Sequence, residues 1–207
     1  MSSQKIVLFT NSNEIGKHLA EEAMQREHSV TMVVDNGKIF NLTHPNLRII
    51  NITSKEEKDI IKYLKGQDVV ICLYDLTPGD LHDHVEVIKE IVQKTKKAGI
   101  KHIVIASHVF TNNEAIQDIQ DFKVIRDAHQ EIQKLLKKES KLSWSFIHSA
   151  EPEADKNNQS TFNKKELVFS QYDGETTISI DECVSTMLDE AEGGQLEMYD
   201  MEEDRED

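Results

Sequence analysis

Lys5 to Gly16, KIVLFTNSNEIG, constrains this chain more than any other stretch. Ile6 to Phe9 is an unbroken apolar run, the pattern of a strand covered on both faces. A short polar turn follows, and a helical pattern opens near Ile15 with Gly16 in its first turn. A buried strand, a tight turn and a glycine at the start of a helix make the first half of a parallel βαβ unit. The amino end of such a helix offers unpaired N–H groups to an anion.

The rest of the chain repeats that alternation. Ile15, Leu19, Ala20, Ala23 and Met24 recur at helical spacing, and Ser29 to Val34 reads as a second strand ending at Asp35 before an Asn36-Gly37 turn. Leu47 to Ile52 is a third strand. A charged helix then carries Ile60, Ile61 and Leu64 on one face and closes at Gly66. Val69 to Tyr74 is the fourth strand. Asp80 is placed to cap a helix with Leu81, Val85, Ile88, Val92 and Thr95 on one face, which stops at Gly99. Ile103 to Ala106 is the fifth strand, ending in Ser107-His108, and Ile125, Ala128, Ile132, Leu135 and Leu136 mark the next helix. Trp144 to Ile147 is the sixth strand, and Leu167 to Phe169 and Thr176 to Ile178 are short candidates. Ser179 to Glu182 fits a capping box for a last helix that faces inward with Val184, Met187, Leu188 and Ala191. Strands alternating with helices across short loops predict an α/β fold, a doubly wound parallel sheet in a single domain. The domain is expected over residues 1–192, with an acidic, flexible tail over 193–207.

Charge narrows the function classes. The 207 residues carry a net charge of −14, which argues against nucleic acid, whose binding needs a basic footprint. The last eleven residues, EMYDMEEDRED, hold seven acids against one arginine and read as a solvated tail. No apolar run reaches the roughly 18 residues that cross a bilayer, so no membrane partner is expected. MSSQK leads into the first strand without an apolar secretory stretch, and Cys72 and Cys183 read as buried thiols. A cytoplasmic location is expected. Homo-oligomer formation stays open.

The segments KIVLF, IGKHLAEEAMQREHSVTMVV, HPNLRII, YLKGQDVVICL, KKAGIKHIVIAS and LSWSFI, in that order, resemble the atypical short-chain dehydrogenase family. Within it they are similar to the small NAD(P)H-binding, NmrA-like proteins, which include those named as NADH–flavin and biliverdin-type reductases. The likeness runs from about Lys5 to about Ala191. It implies a Rossmann sheet with a dinucleotide across the carboxyl ends of its strands. Its glycine fingerprint falls on Thr10, Asn11, Ser12, Asn13, Glu14, Ile15 and Gly16. The third glycine is kept, and the first two are Thr10 and Asn13.

Those departures have physical consequences. A Cβ at the first two positions takes room from the turn and from the diphosphate, although asparagine tolerates left-handed backbone angles. At roughly 5 Å and an effective dielectric of about 20, Glu14 would repel a phosphate by about 3 kcal/mol, and by under about 1 kcal/mol if fully solvated. The polar groups of Thr10, Asn11, Ser12 and Asn13 act either as phosphate ligands or as turn and helix caps. Asp35 stands where many relatives carry an arginine for the NADP 2′-phosphate. A carboxylate there accepts hydrogen bonds from ribose hydroxyls and favours NAD(H) over NADP(H) if either is bound. An Asp opening an Asn-Gly turn has an equally good local explanation. Ile15, Asn36, Leu73 and Tyr74 complete the expected cofactor contacts.

The family's Tyr-x-x-x-Lys pair falls on Ile125 and His129, so that helix has no tyrosine acid. Ser107 and His108 end strand five where the family has polar residues facing the nicotinamide, which makes them the catalytic candidates. Asp80, His82, Asp83 and His84 suggest a metal, but on a helix the two histidines point about 200° apart, and a capped first turn is the better account. Two readings follow: an NADH-dependent reductase of a flavin, quinone or similar planar molecule, or a degenerate, non-catalytic ligand sensor or interaction module. A flavodoxin-like FMN site ranks behind both, because Tyr74 alone is available to stack on the flavin.

Overall fold

The computed structural model describes residues 3–11, 14–35, 41–52, 60–74, 81–107, 119–149, 164–169 and 180–203. Seven parallel strands form one sheet: β1 (Lys5–Thr10), β2 (Ser29–Asp35), β3 (Leu47–Ile52), β4 (Val69–Tyr74), β5 (His102–Ser107), β6 (Ser143–Ser149) and β7 (Lys164–Phe169). Their order in space is β3-β2-β1-β4-β5-β6-β7, so the winding reverses between β1 and β4. This is the doubly wound Rossmann arrangement, with a ligand crevice expected at that reversal.

Period-2 alternation sorts the strand side chains into two cores. On one face Ile6, Leu8, Ile71, Val104 and Ala106 pack against α1 (Glu14–Gln25) and α5 (Ile180–Glu203). On the other, Phe9, Cys72, Tyr74, Ile105 and Phe146 pack against α2 (Ile61–Leu64), α3 (Leu81–Lys97) and α4 (Ile119–Lys137). Covering on both faces is why β4 and β5 read as continuous apolar runs, and every residue of each is buried. Cys72 and Cys183 are free buried thiols in opposite cores, and burial pushes both well above the ordinary thiol range.

Two helices stop at the glycines that the sequence marks. Gly66 and Gly99 have φ of 75° and 80°, the left-handed geometry that ends a helix most cheaply with glycine. Residues 53–59 lie outside the described set, so only the Ile61–Leu64 turn of the expected charged helix is seen, with Ile60 and Leu64 buried. The Thr176–Ile178 candidate and the Asp80 and Ser179 caps also lie outside it. α5 continues through residue 192, where the domain was expected to end.

Two buried histidines bind α5 to the amino ends of the strands. The Gln4 N–H donates to His28 Nδ1 at 3.1 Å, so Nε2 carries the proton and donates to Glu192 Oε1 at 2.9 Å. Beside it, Arg26 donates to Glu22, Asp189 and Glu192 at 2.6, 2.6 and 3.2 Å, and to Ser185 at 2.9 Å. Burial raises the Glu192 carboxyl, but the bonds from His28 and Arg26 outweigh it and hold the group below the usual range. His102 Nε2 donates to the Glu190 carbonyl at 3.1 Å, and Nδ1 lies 3.0 Å from Ser143 Oγ. Burial pulls the His102 pKa down to about 4. Among the described residues no helix is long and apolar enough to cross a membrane.

Candidate functional site

Parallel pairing brings the carboxyl ends of the strands to one edge. Thr10 lies opposite Val34 and Leu73, Asp35 opposite Ile52, and Tyr74 opposite Ser107, which in turn lies opposite His148. Thr10, Asp35, Leu73, Tyr74 and Ser107, far apart in sequence, therefore share one edge. Ser12, Asn13, Asn36 and His108 lie outside the described residues.

The turn after β1 is built around a close approach. Gly16 is buried in the first turn of α1, and a Cβ there would stand 2.9 Å from both Cγ2 and Oγ1 of fully buried Thr10. The third glycine of the fingerprint is thus kept because the helix rests on the residue that replaced the first. Ile15 packs against the α1-side core, while Glu14 is exposed at the start of the helix. The Asn11 N–H donates to the Leu73 carbonyl at 3.4 Å across the β1–β4 reversal.

Asn11 also reaches α3: its Nδ2 lies 3.4 Å from His84 Nε2, and the His84 ring sits 5.6 Å from that of Tyr74 at 58°. With the amide donating, the imidazole proton is on Nδ1. That atom is buried without a hydrogen-bond partner among the described residues. His82 is exposed, and no cluster of metal-binding side chains occurs among the described residues.

Ser107 is fully buried at the end of β5, and its Oγ lies 3.1 Å from His129 Nε2. His129 is 4% exposed and meets Phe146 edge-on at 5.6 Å and 83°. His129, which the resemblance sets at the family lysine position, contacts the serine directly, while Ile125 is buried in the core. His129 was readable from sequence as the polar member of an apolar helix face shared with Ile125, Ile132 and Leu136.

One further feature has no signature in sequence. A small pocket of about 100 Å³ lies between the ends of β1–β4 and helix α3. Phe9, Val33, Ile52, Ile60, Tyr74 and Ile91 wall it, and Val34, Val87 and Glu90 complete the described lining. Its described walls are mainly apolar. Val34 immediately precedes Asp35, and Phe9 immediately precedes Thr10, so the pocket adjoins both expected binding elements.

The sequence model of a family described as NAD(P)H-binding matches residues 12–190. An uncharacterized protein of Bacillus subtilis, YwnB, is 25% identical over 205 residues, covering 91% of this chain and 92% of its own. A Streptococcus pneumoniae structure provisionally named an NADH-flavin reductase has a TM-score of 0.61 at 22% identity, over 93% of this chain and 94% of that one. A Bacteroides thetaiotaomicron structure provisionally named an epimerase has a TM-score of 0.63 at 19% identity, over 92% of each chain. Both structural likenesses are likenesses of fold.

Proposed function

The chain belongs to the NAD(P)H-binding family, and on that premise we propose that it is an NADH-dependent oxidoreductase acting on a flavin, quinone or similar planar acceptor in the cytoplasm. The observation that carries this reading is the open pocket at the winding reversal, flanked by Asp35 on one side and the Thr10–Gly16 turn on the other. When bound, NADH supplies a hydride. The chain's own residues hold and orient it. Thr10, Asn11, Ser12, Asn13, Ile15 and Gly16 shape the diphosphate turn before the amino end of α1. Asp35, followed by Asn36, accepts hydrogen bonds from the adenosine ribose, whose base enters the pocket beside Tyr74. Leu73 and Tyr74 underlie the crossing between β1 and β4. The buried donor at His84 Nδ1 supports the same reading, because an oxygen brought in at this edge satisfies such a group.

Ser107 ends β5, His108 follows it in sequence, and this reading assigns both to the nicotinamide side. The contact with His129 Nε2 fixes the Ser107 hydroxyl beside the α4 position that the family resemblance gives to lysine. Free buried thiols in both cores suit a reducing compartment. Titration of the purified protein with NADH and NADPH by fluorescence or calorimetry tests the proposal. Tighter binding of NADH is expected. Failure of both to bind at millimolar concentration refutes the cofactor reading, and tighter NADPH binding refutes the role of Asp35 alone. The first outcome would leave the second reading, a non-catalytic Rossmann module, which the exposed Glu14 and the absent α4 tyrosine favour.

A further inference from the structure

α5 carries two adjacent glycines, Gly193 and Gly194, inside its span. A Cβ at Gly193 would meet no atom within 4 Å, and its φ lies outside the left-handed region, so neither packing nor backbone geometry calls for glycine there. Two such residues weaken a helix and make it easy to bend. They follow Ala191 and Glu192, which are buried, and shortly precede the acidic end of the chain. The edge at which α5 leaves the sheet is basic. α3 and α4 run back to the amino ends of β5 and β6, where residues 93–101 and 133–143 hold eight lysines against one acid, Glu139. The Ser143 N–H donates to the Lys101 carbonyl at 2.8 Å and Lys96 Nζ to Glu139 Oε2 at 2.7 Å, so the two stretches form one surface. Lys97, Lys101, Lys137, Lys138 and Lys141 are exposed, and no ion pair engages them among the described residues. The dipole at a helix carboxyl end accounts for Lys97 and Lys137, but Lys101 and Lys141 lie beyond the helices. His102, next to Lys101, donates to the Glu190 carbonyl at 3.1 Å, which sets the last anchored turn of α5 beside this surface.

We propose that the acidic residues 197–207 swing about Gly193 and Gly194 and lie across this lysine surface, an electrostatic clasp by which the chain covers its own basic edge. The clasp is at the edge of the sheet opposite the candidate site and does not depend on the dinucleotide reading. The charges match: seven acids in eleven residues stand against five unengaged lysines. The reach is sufficient, because β5 and β6 are neighbours about 5 Å apart, while eleven residues span roughly 16 Å as helix and about twice that extended. Exposed ion pairs are individually weak. The tether makes them act together by holding the acidic run at an effective concentration in the millimolar range. At micromolar protein the chain's own end therefore outcompetes that of a second copy.

The test is carbodiimide cross-linking of the full chain at micromolar concentration, with the linked peptides mapped by mass spectrometry. Amides are expected in the monomer between acids of residues 197–207 and Lys97, Lys101, Lys137, Lys138 and Lys141. Their yield should fall about fivefold between about 20 mM and about 500 mM salt, as screening shortens the reach of the charges. Lys137→Gln with Lys138→Gln should lower the yield at Lys101 about twofold or more, which proximity through the tether alone would leave unchanged. Gly193→Ala with Gly194→Ala stiffens the helix, so the yield at Lys137 and Lys138 should fall about fivefold while helix content by circular dichroism holds or rises. All four substitutions are at positions outside the core, so thermal melting confirms folding. Links scattered evenly over exposed lysines such as Lys17 and Lys62, or a yield that salt leaves unchanged, overturn the clasp. Links found only in a dimer whose fraction rises with protein concentration overturn the intrachain assignment. A yield that the alanine pair leaves unchanged overturns the hinge.

Discussion

Gly16→Ala tests the packing of the β1–α1 turn. Alanine is normally the better helix residue, and the exchange inside a helix is worth about 1 kcal/mol in its favour. Here the added methyl meets Thr10 Cγ2 and Oγ1 at 2.9 Å and Thr10 Cβ at 3.4 Å. Thr10 is fully buried, and its β-branched side chain has few rotamers to escape into. Overpacking of this kind costs about 1–3 kcal/mol, so after the propensity gain a net loss of about 1 kcal/mol is expected. Thr10→Ala removes both atoms at 2.9 Å and leaves only the 3.4 Å approach. In that background the same Gly16→Ala change should be neutral or stabilising by up to about 1 kcal/mol. The cycle of four proteins, measured by urea denaturation, should give a coupling of about 1–2 kcal/mol. Any cost of Thr10→Ala itself appears in both arms and cancels. A coupling below about 0.5 kcal/mol, or a Gly16→Ala single variant more stable than wild type, would refute the packing argument.

Two further predictions concern the binding of α5. His102 has a folded pKa of about 4 against about 6.5 in the unfolded chain. Its contribution is therefore fully present above pH 6.5 and is lost as pH falls towards 4. Between pH 7 and pH 5 this amounts to about 2 kcal/mol, so wild type should lose that much more stability over the interval than His102→Gln. Parallel curves for the two proteins would refute it. Arg26→Met leaves Glu192, a largely buried carboxylate, with His28 as its remaining partner from this network. A loss of about 2 kcal/mol in chemical denaturation is expected, and Glu192→Gln in the same background should recover part of it. A loss within about 0.5 kcal/mol would show that the arginine is only a surface ion pair.

The strands were legible because burial on both faces writes itself as unbroken apolar runs. Val69 to Tyr74 is the strand as read, and Ile103 to Ala106 gains one residue at each end. The helices were legible from spacing, and Gly66 and Gly99 marked their ends through backbone geometry. The candidate site was legible only where it is local. Asp35 could be placed at the end of β2, and Gly16 at the start of α1, from the chain around each. Contacts between distant segments left no trace: nothing near Asn11 announces His84, and nothing near Ser107 announces His129. The pocket is the extreme case. Phe9, Ile52, Tyr74 and Ile91 each read as ordinary core, and only their arrangement leaves a space.

The two cores also differ in when they can be completed. Among the described residues, the α3–α4 core draws on strands and helices up to β6 and on none after Phe146. The α1-side core needs Cys183, Val184, Met187, Leu188 and Ala191 from the final helix. On a ribosome, one side of the growing sheet can therefore close while the other waits, its apolar strand residues bare, until residues beyond Ile180 emerge. A nascent chain in that interval presents the surface on which unfinished proteins aggregate. Translation past the last strand and the arrival of α5 are then the events that turn a sticky half-sandwich into a finished one. A chain stopped just before Ile180 should fail in the cell through aggregation, with every strand of the sheet already made.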